Sequence, residues 1–270
     1  MTKPVETGTI LDRILAQTAI DLESRRSAVP RETLEGIAID MGTGASFLGA
    51  LSKPGISVIA EFKRASPSRG RFSVELDPTA VAGQYADGGA AAMSVLTDEA
   101  FFQGSLADLA DAARVAHSAS PPMAILRKDF IIDEYQILEA KVAGADAVLL
   151  IVAALDQATI RRLFDFTYSI GLDALVEVHD LSELERAAAL GATLVGVNNR
   201  NLKTFEVDLA FTENLASRRP TEAVFVSESG IFTRADVVRM EQCGVDAVLV
   251  GESIVLSADR AAAIRSLRGV

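Results

Sequence analysis

Cysteine is nearly missing from this chain of 270 residues: Cys243 stands alone, so no disulfide can close within it, which is consistent with a reducing compartment. Histidine is almost as scarce, with only His117 and His179, and no His, Cys and carboxylate cluster has the spacing of metal ligands. Long apolar runs are also lacking. Nothing approaches the ~20 residues needed to span a bilayer, and the amino terminus has neither the basic start nor the apolar core of a signal peptide. Positive charge is in deficit: 26 Lys and Arg against 37 Asp and Glu leave a net charge of −11. A field of that sign repels nucleic acid and anionic lipid, so neither is expected as a partner. An anionic small molecule can still bind if local cations outweigh the field. These absences point to a cytoplasmic enzyme or binding protein.

What is present is a full core. The chain is 49% hydrophobic and 23% charged, and its length suits one α/β barrel, which typically takes roughly 250 residues. Residues 9–28 carry an apolar stripe at helical spacing (Ile10, Leu11, Ile14, Leu15, Ala19, Leu22), with Thr9 placed to cap it. Pro30 opens a second short helix, and Gly42 and Gly44 mark a break before the segment Ser46–Leu51. From Ile56 onward one unit recurs. Gly89, Gly144, Gly191 and Gly244 each end a helix, and each is followed by a short turn and a buried β-branched strand. Strands predicted over 58–63, 123–128, 174–178 and 224–228 bring the number to eight, with helices such as Leu181–Leu190 and 234–243 between them. Eight strands alternating with helices favour a (β/α)8 TIM barrel over a doubly wound open sheet. The expected organisation is one domain over 1–270: an N-terminal helical extension over 1–50, packed near one end of a barrel that occupies 56–270.

In such a barrel the active site lies at the carboxyl ends of the strands. Strand one closes with Ala60-Glu61-Phe62-Lys63, and alternation along a strand puts Glu61 and Lys63 on the same side. Ser66-Pro67-Ser68 then break into a polar loop. Strand three ends in Lys128, which shares the parity of Leu126 and Ala124; strand five ends in Glu177, strand six runs into Asn198, and strand seven ends in Glu228. Three carboxylates, two ammoniums and an amide are therefore expected to converge. Ser229-Gly230 after strand seven and Gly251-Glu252 after strand eight suggest a phosphate site, because glycines let backbone N–H groups approach an anion. His179, just past Glu177, is expected to point outward as a hydrogen-bonded structural histidine, His117 to lie on a helix surface, and Cys243 to be a small packing residue.

Several of these segments, in the right order, resemble the indole-3-glycerol phosphate synthases of tryptophan biosynthesis: A-E-F-K-R-A-S-P-S at 60–68, F-F-Q-G-S at 101–105, L-R-K-D-F-I at 126–131, L-V-E-V-H at 175–179, G-V-N-N-R-N-L at 196–202, S-E-S-G-I at 227–231 and L-V-G-E-S at 249–253. The resemblance implies a carboxy-lyase that closes the ring of 1-(2-carboxyphenylamino)-1-deoxyribulose 5-phosphate with loss of carbon dioxide and water, using no cofactor or metal. It implies Lys128 as general acid, Lys63 as the group holding the substrate carboxylate, and Glu61 and Glu177 as acid/base carboxylates. Asn198 and Glu228 match positioning residues, and Arg200 matches an arginine near the substrate. Ser66, Pro67, Phe102, Phe130, Leu149 and Leu202 are implied around the substrate, and Ser229, Gly230, Gly251 and the Glu252 backbone around its phosphate. Two positions depart from common family forms. Glu252 stands where serine is frequent, so its carboxylate must turn away, and Asn201 stands where aspartate is common, which puts a salt bridge to Arg200 in doubt. A sister isomerase barrel is expected to carry a cysteine at the end of strand one, and Ile59-Ala60-Glu61 offers none. A monomer is expected, without a fused second barrel.

Overall fold

The computed structural model describes residues 7–42, 44–67, 69–72 and 74–270. Residues 1–6 of the expected extension and Ser68 of the polar loop lie outside the described residues. The predicted strands form as β1 (Ser57–Phe62), β2 (Ala92–Leu96), β3 (Ala124–Lys128), β4 (Ala147–Ile151), β5 (Asp173–Val178), β6 (Leu194–Asn198), β7 (Val224–Glu228) and β8 (Ala247–Val250). Each pairs in parallel with the next, and β8 closes on β1 through Ser57 opposite Ala247 and Ala60 opposite Val250, giving a closed (β/α)8 barrel. The strands are short and apolar because both faces are covered, one by the barrel interior and one by the helices. The four recurring glycines sit at φ of 77°, 89°, 75° and 79°, the left-handed conformation that lets a helix end within one residue and release the chain into the next strand.

The leading segment is helical as predicted: α1 (Ile10–Ala28), α2 (Arg31–Asp40) and α3 (Phe47–Leu51). Thr9 caps α1, its side chain accepting the Leu11 N–H at 3.1 Å. Leu11, Ile14, Leu15 and Leu22 of the apolar stripe are buried, each contributing about 1.5–3 kcal/mol, while Ile10 and Ala19 are half-buried. Arg25 bonds Glu139 at 2.8 Å and Arg26 pairs with Asp133, which tie the far end of α1 to the helix Glu134–Val142 and its cap.

The segment does not stay at one end of the barrel, as the sequence suggested. The first turn of α1 reaches the carboxyl ends of the strands, where Ile10, Leu11 and Ile14 line a cavity. At the opposite end, the Leu48 N–H donates to Asp173 Oδ2 at 2.9 Å and the Ala45 N–H to Asp146 Oδ1 at 2.9 Å, with Phe47 and Leu51 fully buried. The reason is local: the amino ends of β4 and β5 leave aspartates that need donors, and α3 brings two apolar side chains with its backbone N–H groups.

Candidate active site

A cavity of about 200 Å³ opens at the carboxyl ends of the strands, and every residue singled out from the sequence as catalytic or substrate-binding lines it. Its floor is ionic. Lys128, at the end of β3, places Nζ 2.7 Å from Glu228 Oε2 and 3.3 Å from Glu177 Oε2. Lys63 pairs with Glu61 across one intervening residue, as strand alternation requires. Glu61, Glu177 and Glu228 are all buried. Asn198 stands opposite Glu228 in the register of β6 and β7, accepts the Ser229 hydroxyl at 2.9 Å, and hydrogen-bonds Glu177.

Burial and charge compete at each of these groups. Burial pulls Lys128 down, but Glu228, Glu177 and Glu61 raise it well above the ordinary lysine value, so the ammonium persists. For Glu177, burial pushes upward and is outweighed by Lys128 and then His179, leaving this carboxyl below its usual range. Glu228 goes the other way, pushed up to about 7 chiefly by burial. The same contact thus stabilises the ammonium of Lys128 more than the carboxylate of Glu228. Lys128 faces three anions, whereas Glu228 faces one close cation together with Glu177 and Glu61. Glu228 Oε1 is moreover buried without a hydrogen-bond partner among the described residues. The site therefore combines a lysine held protonated, a carboxylate held ionised, and a carboxyl poised near neutrality.

The apolar wall suits a planar ring. Phe102 and Phe130 stand with ring centroids 6.0 Å apart and planes tilted by 35°, and Pro67, Leu149 and Leu202 complete this side of the cavity. At the opposite rim lie Ser229, Gly230, Gly251 and Glu252. The Glu252 carboxylate does turn aside, bonding Arg69 at 2.9 Å. Arg200 makes no salt bridge to Asn201; its Nη1 donates to the Phe205 carbonyl at 3.1 Å, while Asn201 Oδ1 accepts the Lys203 N–H at 2.8 Å. Gly251 has a second reason to be glycine, since a Cβ there would sit 2.3 Å from Glu61 Oε1 and 3.0 Å from Lys63 Nζ.

Some features of the site were missed or misplaced in the sequence. His179 does not point outward: its Nε2 lies 3.4 Å from Glu177 Oε1, because residues two apart along a strand share a face. The hydrogen-bonded part of that expectation stands, with Nδ1 3.1 Å from Glu183 Oε2. Gly196, in the middle of β6, was passed over, although a glycine inside a strand often marks a close approach; a Cβ there would lie 2.1 Å from Glu228 Oε1. His117 is on a helix surface as expected and also bonds Asp146 at 2.8 Å. Cys243 is half-buried against the core. Among the described residues, no group of three or more His, Cys, Asp or Glu could hold a metal ion, and no helix is long and apolar enough to cross a membrane.

Comparison with known proteins bears on the fold and on the family. Solved structures that share the fold include 3-hexulose-6-phosphate synthase from Salmonella typhimurium, with a TM-score of 0.63 at 15% identity over 79% of this chain and 97% of that one. Thiamine phosphate pyrophosphorylase from Pyrococcus furiosus has a TM-score of 0.58 at 16% identity, covering 79% of this chain and 94% of that one. At such identities the likeness concerns the barrel alone. Sequence relatives are far closer. An indole-3-glycerol phosphate synthase of Roseiflexus sp. (strain RS-1) is 47% identical over 266 residues, covering 97% of this chain and 98% of the relative. One of Nocardioides sp. (strain ATCC BAA-499 / JS614) is 49% identical over 261 residues, with the same coverage. The family model for indole-3-glycerol phosphate synthase matches residues 11–267. With 44–49% identity to relatives along nearly its whole length, the chain belongs to the indole-3-glycerol phosphate synthase family.

Proposed function

We propose that this chain performs its family's reaction with the ionic floor described above: ring closure of 1-(2-carboxyphenylamino)-1-deoxyribulose 5-phosphate to indole-3-glycerol phosphate, with release of carbon dioxide and water, a step of tryptophan biosynthesis. The observation that carries the residue assignments is the position of Lys128 Nζ at the cavity floor, 2.7 and 3.3 Å from two buried carboxylates. Attack of the aromatic carbon on the ribulose ketone builds negative charge on its oxygen, and an ammonium held protonated can neutralise that charge and deliver the proton. The carboxylates raise the affinity of Lys128 for its proton, yet a developing alkoxide is a much stronger base than any of them. Lys63 holds the substrate carboxylate until carbon dioxide leaves from the non-aromatic intermediate. Glu177 and Glu61 then serve the dehydration, which needs a base for the ring proton and an acid for the departing hydroxyl.

Asn198 and Glu228 position these groups. The substrate ring lies among Pro67, Phe102, Phe130, Leu149 and Leu202, with Ser66 and Arg200 nearby. The phosphate meets backbone N–H groups at Gly230, Gly251 and Glu252 together with Ser229. The reaction proceeds without metal or cofactor. The chain works as one domain and as a monomer in the cytoplasm, and binds neither nucleic acid nor membrane; the ion pairs and buried leucines joining α1 to the barrel support the single domain. Incubating the purified chain with the ribulose phosphate substrate and following indole fluorescence tests the activity, and size-exclusion chromatography tests the monomer. No fluorescent product from a well-folded chain would overturn the reading.

A further inference from the structure

Glu177 has a neighbour that the chemistry above does not use. His179 is half-buried with its Nε2 enclosed, lies outside the cavity wall, and follows β5 on the same face as Glu177. Its ring is anchored from behind. Glu183, in the helix Leu181–Leu190, accepts both the His179 backbone N–H at 2.8 Å and the ring nitrogen Nδ1, at 3.1 Å. That anchor fixes the proton on Nδ1 and turns Nε2 toward the site. Nε2 is buried without a hydrogen-bond partner among the described residues, and it faces Glu177 Oε1 at 3.4 Å. Lys128 occupies the other oxygen, Oε2. The backbone contact alone would explain Glu183 as a helix-capping residue; it does not explain a ring nitrogen buried without a partner and aimed at a candidate catalytic carboxylate.

We propose that His179 is a positioning residue for Glu177, anchored by Glu183 so that Nε2 and Glu177 Oε1 share one proton during dehydration. The proposal rests on the acid/base reading of Glu177. Before dehydration the shared proton rests on Nε2, and the imidazolium, stabilised by Glu183, holds Glu177 ionised to take the ring proton. When the hydroxyl departs, Glu177 gives that proton up to it, so none is gained or lost. The charged groups facing the imidazole are Glu177 from its own strand, Glu183 from the following helix and Glu228 from β7. Burial lowers the ring's affinity for its proton, and these three carboxylates raise it by more, so His179 lies above the ordinary histidine value.

Two measurements test this. The first is the pH profile of kcat/KM for the wild type, His179→Gln and Glu183→Gln. Glutamine keeps an N–H donor but carries no charge, so burial should raise Glu177 and move the acid limb of the profile upward by about one pH unit. Glu183→Gln should move it in the same direction by less. A purely structural His179 would lower the melting temperature of His179→Gln and leave the limb of the folded enzyme where it was; that result overturns the proposal. The second is NMR titration of the imidazole protons. The chain has only two histidines, so His117→Gln assigns them. Glu177→Gln should lower the pKa of His179 by about half a unit or more, and an unmoved titration overturns the contact itself. A wild type that folds and shares the proton but turns over no substrate would instead refute the functional reading on which the proposal depends.

Discussion

Replacing Lys128 by alanine separates chemistry from packing at the centre of the site. On the proposed mechanism the variant loses the proton donor to the ketone oxygen, and kcat should fall by about 10²–10⁴, equivalent to about 2.7–5.4 kcal/mol in the barrier. The same change removes the ammonium between Glu177 and Glu228, and breaking a buried ion pair costs about 3–5 kcal/mol of stability. The structure supplies a way out of that penalty. Glu228 lies near 7 and already faces repulsion from Glu177 and Glu61, so without Lys128 it takes up a proton. The variant should therefore be closer to wild-type stability at pH 6 than at pH 8, which makes pH 6 the place to measure turnover on folded protein. Substrate affinity should change less than kcat, since the ring and phosphate contacts lie elsewhere in the cavity. Lys128→Arg should restore little, because guanidinium is a poor donor near neutrality and its planar fork does not fit a single-point contact. Single-turnover kinetics with calorimetry on the same samples decide the matter. If well-folded Lys128→Ala turned over at near the wild-type rate, Lys128 would be a charge-balancing residue and the assignment would fail.

Three other perturbations have definite signs. Glu228 binds its proton more tightly in the fold than an ordinary carboxyl does, so the stability linked to it is present at low pH and lost as pH rises from about 4.5 through about 7. That is about 3 kcal/mol above neutrality, so the melting temperature of Glu228→Gln relative to wild type should be higher at pH 8 than at pH 4; a pH-independent difference would contradict the raised value. Gly251→Ala must displace Glu61 and Lys63, so kcat should drop about tenfold or more with little change in melting temperature, and unchanged turnover would show that the pair tolerates displacement. Gly230→Val should weaken substrate and inorganic phosphate binding more than it slows bound substrate, both by bulk and because φ is +84° with a Cβ only 2.5 Å from Val207. An unchanged dissociation constant would remove the phosphate role from that loop.

Parity along the strands accounts for most of what could be foreseen. It placed Lys128 inward, while Arg127, of the opposite parity, is buried against Asp129 and Glu139. The recurring glycines gave the barrel because each one ends a helix by a local conformational need, visible without any tertiary information. At His179 the parity was misjudged: residues 177 and 179 share a face, so the expected outward ring in fact turns toward Glu177. Relations across strands were hidden. Gly196 and Glu228 are 32 residues apart, and only the β6–β7 register shows that one must be small for the other to fit. The balance of burial against charge at Lys128 also depends on distances to three carboxylates on three different strands, which no single segment encodes.

Charge at the cavity corrects a simple expectation. An anionic substrate for a protein of net charge −11 suggested a local excess of cations, yet the lining holds Lys63, Lys128 and Arg200 against Glu61, Asp129, Glu177, Glu228 and Glu252. What the fold provides is pairing. Asp129 is tied to Arg127, Glu252 to Arg69 and Glu61 to Lys63, while Glu228 holds a proton near neutrality. Anion recognition on this arrangement is a matter of contact, through backbone N–H groups at one rim and a lysine that exchanges Glu61 for the substrate carboxylate at the other. Contact forces act over a few ångströms, whereas the global field extends to about 8 Å at physiological salt and further at lower salt. Encounter should therefore be slowed, not steered, by the field. Raising ionic strength from about 10 mM to 150 mM should leave the substrate association rate unchanged or increase it, because salt screens the repulsion. Stopped-flow fluorescence on substrate mixing measures that rate directly. A steep fall with salt would mean that the cavity projects a positive potential despite its composition, and that the pairing described here gives way before the substrate arrives.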